Sequence, residues 1–131
     1  MQPITVAYCF KEIQGYSKFN KYTGNGNADG PFIYLGFKPK WLLIKRDGTE
    51  AWFLIDDARE PYNPLGAASI LQPNDSAAEI TGSDKYIDFL SNGFKCRAVT
   101  GFHNDNGARY AYMAFAEHPF VSSKGTPVAA R

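Results

Sequence analysis

Short runs of β-forming residues recur along the chain, and no segment of ten or more residues keeps the spacing of an amphipathic helix. Clusters of Gly, Pro, Asn and Asp separate the runs, and the 131 residues include 12 Gly and 8 Pro. Residues of these types end strands and form tight turns. The pattern predicts an all-β chain: a single-domain antiparallel β-sandwich of jelly-roll or concanavalin-like type, with about eight to ten short strands and little helix.

The chain divides into a predicted sandwich domain at 1–120 and a polar tail at 121–131. Asp47-Gly48 and Ser91-Asn92-Gly93 each separate two β-forming runs, which is typical of β-hairpins. Trp41 and Trp52 flank the first turn and could meet across its hairpin. Residues 56–75 are expected to form a long connection with one helical turn near 67–71. Strands are predicted at 4–10, 19–23, 32–37, 41–44, 52–55, 77–81, 86–90, 94–99 and 109–117, with the first and last side by side. In the run 94–99, Lys95 and Arg97 are expected on a wet face and Phe94, Cys96 and Ala98 on the opposite face.

The charge of the chain is nearly balanced, with 14 Lys and Arg against 13 Asp and Glu and a net charge of +1. The two signs alternate along the sequence, which disfavours nucleic-acid binding through phosphate neutralisation. No apolar run approaches the roughly 20 residues that a membrane span needs, and the first residues resemble no targeting signal. Cys9 and Cys96 both lie in apolar runs and are expected to be buried thiols, with a bridge between them left open.

The residue patterns of catalytic and metal sites are weak in this sequence. His103 lies in a turn and His118 precedes a proline, and neither is spaced for a zinc site or a nucleophilic triad. The segment 25–30 imitates the start of a calcium loop, but Gly36 stands where the bidentate glutamate should be. We therefore expect no enzyme activity, no cofactor and no strong metal site, although a weak cation site with distant carboxylates stays open.

Adjacent carboxylates occur at Asp56-Asp57, and neighbouring strand residues point to opposite faces. Such a pair cannot share one substrate as the two carboxylates of a glycosidase do. We expect one of them to reach Arg59 or a backbone donor in the following connection.

Loop and strand residues provide the candidates for contact with other molecules. Aromatic side chains on loops can stack on sugars or contact a protein, and short polar side chains can hydrogen-bond a ligand. Strands that are apolar on both faces exceed what one small sandwich can cover, so some of their side chains are expected at an oligomer interface, core burial being the competing interpretation. The candidates for ligand or partner contact are Tyr16, Tyr22, Asn25, Asn27, Asp29, Tyr62 and His103, and those for oligomer contact are Trp41, Trp52 and Phe53.

Three groups of motifs resemble a known kind of domain. They read VAYCF (6–10) with GYSKF (15–19) and YTGNG (22–26); GFKPKWLLIKR (36–46); and IDFLSNGFK (87–95) running to YMAFAEHPF (112–120). Together they resemble a domain at the carboxyl-terminal ends of tailed-bacteriophage tail-fibre and related virion structural proteins, often beside concanavalin-like sandwich modules. The resemblance covers nearly the whole chain, and its motifs mark strands and turns without adding catalytic residues.

The resemblance implies a β-sandwich in the virion, assembled in the host cytoplasm as a homo-oligomer, often a trimer in fibres. It implies a surface module of the tail fibre or receptor-binding apparatus that contacts other virion proteins and a host surface glycan or protein. Such proteins usually carry a long shaft before the domain, whereas this chain starts five residues before the first motif. A capsid cement (decoration) protein is therefore the alternative, unless the chain is a fragment of a longer protein, and a glycan depolymerase is a third hypothesis.

Overall fold

A computed structural model of the chain describes residues 3–59, 61, 63, 68–82 and 86–119. Within these ranges the fold is all-β and contains no helix, and so no helix that could span a membrane. The described strands are β1 (Ser17–Thr23), β2 (Phe32–Tyr34), β3 (Pro39–Arg46), β4 (Phe53–Asp56), β5 (Ala68–Ile70), β6 (Ile80–Gly82), β7 (Ile87–Leu90), β8 (Gly93–Cys96) and β9 (Arg109–Ala116).

These strands form three antiparallel sheets, which confirms the predicted all-β sandwich. The largest sheet has the order β1-β9-β3-β4, the second has the order β2-β8-β7, and β5 pairs with β6. Reciprocal backbone hydrogen bonds between Leu54 and Leu71, at 2.9 and 3.0 Å, link β4 to the residue that follows β5. The long strands β3 and β9 lie at the centre of the four-stranded sheet, with the short strands at its margins.

The core lies between the four-stranded and three-stranded sheets, because alternate residues of each strand point toward the other sheet. Phe94 of β8 is fully buried and packs edge-on against Tyr112 of β9, with ring centroids 5.5 Å apart. Phe94, Cys96 and Ala98 are all buried, as the sequence alternation predicted. The four-stranded sheet contributes Leu42, Ile44, Phe53, Ile55, Tyr110, Tyr112 and Ala114 to this core.

Both predicted hairpins are present. β7 and β8 pair through Leu90 and Gly93, which leaves Ser91-Asn92 as the turn. β3 and β4 also pair, but residues 47–52 connect them in a loop longer than the Asp-Gly signal suggested. Trp41 lies opposite Asp56, and Trp52 precedes β4, so the two tryptophans do not face each other across the hairpin.

The predicted strand at 4–10 is wrong: residues 3–12 are exposed and pair with no described strand. The partner of the last strand is instead β1, which pairs with β9 from Ser17 opposite Phe115 to Thr23 opposite Arg109. Cys9 is therefore exposed, not a core thiol, and both cysteines are free. The expected helical turn near 67–71 is also corrected, because β5 occupies Ala68–Ile70. The predicted tail at 121–131 lies outside the described residues.

Gly93 is required by the close approach of β8 to β2. A Cβ atom at this position would lie 2.1 Å from the carbonyl oxygen of Ile33. Since the obstructing atom belongs to the backbone of a paired strand, the strands must separate to admit a methyl group. Gly101 differs, because a Cβ there first meets the flexible end of the Arg46 side chain at 3.2 Å.

We predict that Gly93→Ala lowers the free energy of unfolding by about 1–3 kcal/mol, the usual cost of forcing an extra group into a packed site. Gly101→Ala is the matched control and should cost clearly less, because the Arg46 side chain can move. Denaturant unfolding of both variants measures the difference. Equal midpoints would contradict the close approach of β2 and β8.

Three tyrosines of the four-stranded sheet lie close together beside Phe94. The rings of Tyr22 and Tyr110 stack with centroids 5.2 Å apart, and Tyr112 lies 6.3 Å from Tyr22. Desolvation raises the pKa of Tyr22 and Tyr110 above the ordinary value, and it raises the pKa of Tyr112 to about 12 with a smaller contribution from Glu12. The folded protein therefore holds these phenols protonated at pH values where the unfolded chain ionises them.

This difference predicts that ionisation of these tyrosines does not change the free energy of unfolding below pH ~10, the pKa of tyrosine in the unfolded chain. As the pH rises from there toward 12, the free energy of unfolding should fall. The sign follows because the unfolded state binds fewer protons than the folded state in this window. Tyr112→Phe keeps the ring and should reduce the loss of stability above pH ~10. Urea unfolding as a function of pH measures this loss of stability, and Tyr34→Phe, at an exposed ring, is the control. Identical alkaline profiles for the wild type and Tyr112→Phe would contradict the contribution of Tyr112.

Candidate functional site

The outward side of the four-stranded sheet is apolar. Strand pairing places Phe19, Met113, Leu43 and Leu54 side by side in one row across β1, β9, β3 and β4. The next row contains Phe115 and Trp41. We call these six residues the outer face. All six are partly exposed, so the sheet is apolar on the side away from the core as well as on the side that builds it.

Phe115 is the centre of an aromatic cluster on the outer face. Its ring centroid lies 5.5 Å from Trp41, 5.9 Å from Phe19 and 6.0 Å from Tyr16. Phe10, from the segment before β1, also packs on this ring at 6.1 Å. Edge-to-face and tilted contacts of this kind stabilise aromatic pairs beyond the area that they bury. The cluster covers one end of the outer face with residues from the 10–19 region.

The other end of the outer face is open and forms a shallow groove of about 450 Å³. Phe19, Leu43, Met113 and Trp52 line it, with Lys45 at its side. Trp52 is 41% exposed, and its backbone N–H is held by the side-chain oxygen of Asn74 at 2.7 Å. Large apolar side chains around a shallow groove suit contact with an apolar surface of another protein.

A polar surface is built by the loop at 24–30, which is anchored from below by the buried side chain of Asn104. The Asn104 amide nitrogen donates to the carbonyl oxygens of Asn27 at 2.7 Å and Ala98 at 3.0 Å. Its oxygen accepts a hydrogen bond from the Asn25 N–H at 2.9 Å. Gly24 lets the two loops approach, since a Cβ there would lie 2.3 Å from the carbonyl oxygen of Asp105.

The exposed asparagine side chains of this loop accept hydrogen bonds from backbone N–H groups of the loop itself. The side-chain oxygen of Asn25 accepts from the Asn27 N–H, and that of Asn27 accepts from the Asp29 N–H, at 3.0 and 2.9 Å. The Asp29 carboxylate pairs with Lys95, whose hydrogen bond and charge lower the pKa of Asp29, and lies 3.9 Å from Arg97. The described residues contain no group of three or more His, Cys, Asp or Glu side chains that could hold a metal ion.

A second cleft, of about 610 Å³, lies between the residues before β1 and the end of β2. Glu12, Gln14 and Lys18 line one side, and Tyr34 and Phe37 line the other. The Lys18 ammonium lies 5.5 Å from the centre of the Tyr34 ring, which is within cation–π range. This contact places a positive charge and an exposed aromatic ring together beside the cleft.

The structure separates the predicted contact residues into accessible and buried groups. Asn25, Asn27 and Asp29 lie together on the polar loop, while Tyr16, Trp41 and Trp52 lie on or beside the outer face. Three expected contact roles are corrected because the side chains lie in the interior, and for Phe53 the interpretation as a core residue is the correct one. Phe53 and His103 are fully buried with rings 5.3 Å apart, and Tyr22 packs among core rings and donates to the His103 carbonyl oxygen at 2.7 Å. Tyr62 lies outside the described residues.

Sequence reasoning missed several residues of these surfaces. Phe10 was expected in a strand, and Met113 and Phe115 were not named as surface residues, although the two-sided apolar character of the last run could have indicated them. Asn104 follows His103 in its turn, and no local pattern marks it as a buried anchor because its partners are 6 to 79 residues away.

Two expectations about single side chains are resolved by the geometry. Asp56 accepts hydrogen bonds from the backbone N–H groups of Ala58 and Arg59 and pairs with the Arg59 guanidinium at 3.3 Å, which confirms its predicted local role. Cys96 is a buried thiol as expected, and desolvation raises its pKa to about 12. A protonated, enclosed thiol is a poor nucleophile.

We predict that Asn104→Ala destabilises the protein by about 2–4 kcal/mol, because it leaves one N–H and two carbonyl groups of the two loops without their partner. Asn106→Ala changes an exposed asparagine in the same turn and serves as the matched control. Chemical denaturation measures the stability, and hydrogen exchange at the Asn25 amide measures the release of the loop. A variant as stable as the control would show that Asn104 is not the anchor.

No curated protein and no solved structure matches the chain. A family model described as a domain of unknown function (DUF7483) matches residues 2–119. The match extends from the segment before β1 to the end of the described chain, so it includes the outer face, the polar loop and both sheets of the core. The chain therefore belongs to the family of this domain of unknown function.

Proposed function

We propose that the protein is a non-enzymatic structural protein of a bacteriophage virion, a surface β-sandwich of the tail fibre or receptor-binding apparatus that mediates host attachment. The outer face is the observation that carries this proposal. Soluble monomers rarely expose large contiguous apolar patches, and such patches commonly mark sites of protein association. The strand and turn motifs resemble those of virion domains, and for this reason we propose that the association takes place in a virion.

Assembly through the outer face accounts for side chains that the core does not use. Leu43 and Met113 lie on the side of the sheet away from the three-stranded sheet, and Trp52 extends the same surface. Aromatic residues and methionine are enriched at protein interfaces. A homo-oligomer, expected to be a trimer, or a contact with another virion protein would cover these residues.

The polar loop is the proposed attachment surface. Asn25, Asn27 and Asp29 are exposed, and the loop is fixed from below by Asn104, so its polar groups are held in place before any ligand arrives. A preorganised surface loses less conformational entropy on binding than a mobile one. Amide groups and paired charges suit the hydroxyl and carbonyl groups of a host surface glycan or protein.

A capsid decoration protein is the second candidate, and the segment before β1 favours it. Residues 3–12 are exposed and include large apolar side chains. A segment of this kind can order on a neighbouring subunit and clamp it. The position on the particle distinguishes the two candidates: gold-labelled antibody on virions should mark the tail for the attachment function, whereas label over the head would overturn it in favour of decoration.

For the attachment function, we predict that the purified protein competes with the phage for adsorption to host cells, and that Asp29→Asn weakens this competition by about tenfold, equivalent to about 1.4 kcal/mol of binding free energy. The substitution removes one exposed charge and weakens its pair with Lys95, but it leaves the hydrogen bonds of Asn25, Asn27 and Asn104 that hold the loop. Adsorption assays with increasing protein concentrations measure the effect.

Asp75→Asn is the matched control, because it removes an exposed carboxylate from the connection between β5 and β6. Both variants should be as stable as the wild type, since exposed substitutions usually change stability by less than about 0.5 kcal/mol. Equal competition by both variants would contradict a role of the polar loop, and no competition by the wild type would contradict the attachment function.

A further inference from the structure

The segment at 4–10, which we call the arm, has the residue pattern of a strand but no strand partner among the described residues. Its alternate residues are Ile4, Val6, Tyr8 and Phe10, which are 93%, 70%, 83% and 58% exposed. Such β-branched and aromatic residues favour strands because they pack well on a sheet. The arm therefore has strand propensity and a face of large apolar side chains. Pairing with a sheet would satisfy its backbone and cover these side chains.

The outer edge of β1 offers unpaired backbone groups. β1 ends the four-stranded sheet, and only β9 lies beside it in the described fold. The Tyr16 carbonyl accepts from the Ala116 N–H at 2.8 Å, and the Gly24 N–H donates to the Ala108 carbonyl at 2.9 Å, so even-numbered residues direct their backbone groups to β9. By alternation, the odd-numbered residues Phe19, Lys21 and Thr23 point theirs to the open edge, where the Lys21 N–H donates to the side-chain oxygen of Asn20 at 2.9 Å.

The arm of the same chain does not cover this edge. Ile13 and Ser17 exchange backbone hydrogen bonds at 3.1 and 2.9 Å, which starts a hairpin whose continuation would place Phe10 opposite Asn20. Asn20 pairs with Tyr112, which points into the core. The Phe10 ring instead contacts Phe19 at 6.1 Å, on the opposite side of the sheet.

A shift of one residue reverses the faces of a strand, so the observed position of Phe10 is incompatible with that hairpin register. The backbone near the arm is held in another way, since the Ser17 hydroxyl donates to the Lys11 carbonyl at 2.9 Å. The arm thus leaves the edge of β1 before it could pair with it, and the edge stays open.

We propose that the arm of each copy adds as an antiparallel or parallel edge strand to β1 of a second copy. Each chain supplies one donor of seven residues and one acceptor strand, β1 (Ser17–Thr23), in which Ser17 is already bonded to Ile13. Seven extended residues span about 23 Å, so the arm is long enough to pair with the open edge from Phe19 to Thr23. Reciprocal or cyclic exchange uses every arm and every edge, which produces a closed oligomer without leaving a site for further growth.

The exposed area of the arm is sufficient for such an interface. Four side chains of this size carry on the order of 600 Å² between them. When two arms are exchanged, burial of most of this area reaches the roughly 1,000 Å² expected of a specific interface. Backbone hydrogen bonds to Phe19 and Thr23 would fix the register of the arm along β1. This association requires only a second copy, so it does not depend on the position of the protein in a virion.

The test compares the full-length wild type with Val6→Asp/Tyr8→Asp, which places charges on the arm without touching the core. Analytical ultracentrifugation should show a closed oligomer for the wild type and a monomer for the double variant. Phe32→Asp/Val99→Asp alters two exposed apolar residues outside the arm and β1, 45% and 49% exposed, and should remain oligomeric. Circular dichroism checks that both variants keep the β-fold.

Hydrogen exchange identifies where the arm binds. The amides of Phe19 and Thr23 should be protected in the wild-type oligomer and exchange at least tenfold faster in Val6→Asp/Tyr8→Asp. A monomeric wild type overturns the proposal, and if its Phe19 and Thr23 amides are protected, the arm covers its own edge. An oligomer that survives the arm substitutions, or one in which these amides exchange freely, also overturns it, because the contact then lies elsewhere.

Discussion

The pairing of β3 with β9 is the contact on which the rest of the structure depends. These two strands of eight residues lie side by side at the centre of the four-stranded sheet, from Trp41 opposite Phe115 to Arg46 opposite Tyr110. Both are apolar on both faces. Their register therefore creates two apolar surfaces at once, one that requires the three-stranded sheet and one that the described chain covers only in part. The first surface packs against the three-stranded sheet to form the core, and the second is the outer face.

The core also fixes the polar end of the molecule. The hydroxyl of Tyr110, in the same central strand, donates to the Gly101 carbonyl at 3.1 Å and accepts from the Asp105 N–H at 2.9 Å. Between these two points lies Asn104, which holds the loop at 24–30. A hydrogen-bonded path thus runs from the buried sheet to the exposed loop. Rigid support of this kind lets a polar surface recognise a partner without first having to order itself.

The sequence predicts well what local residues decide and poorly what distant residues decide. The alternation in Phe94, Cys96 and Ala98 and the turn at Ser91-Asn92 are local, and both predictions were confirmed. The role of Asn104 depends on backbone groups from another part of the chain, which no pattern around it reveals. The burial of Phe53 follows from register, because a shift of one residue would have placed it on the outer face.

The strand predicted at 4–10 is wrong for a physical reason: the Phe10 ring packs on the outer face, and the arm does not pair with the edge of β1. A hairpin onto β1 would gain a few backbone hydrogen bonds at a wet edge, each worth about 1 kcal/mol or less since water already satisfies these groups. Packing the ring on Phe19 and Phe115 buries less than half of Phe10, which is 58% exposed, so this burial is worth about 1 kcal/mol, and it adds two aromatic contacts. The terms are comparable, and Phe10 lies on the outer face. Covering part of that face therefore leaves a strand-forming segment and a sheet edge unpaired in the same chain.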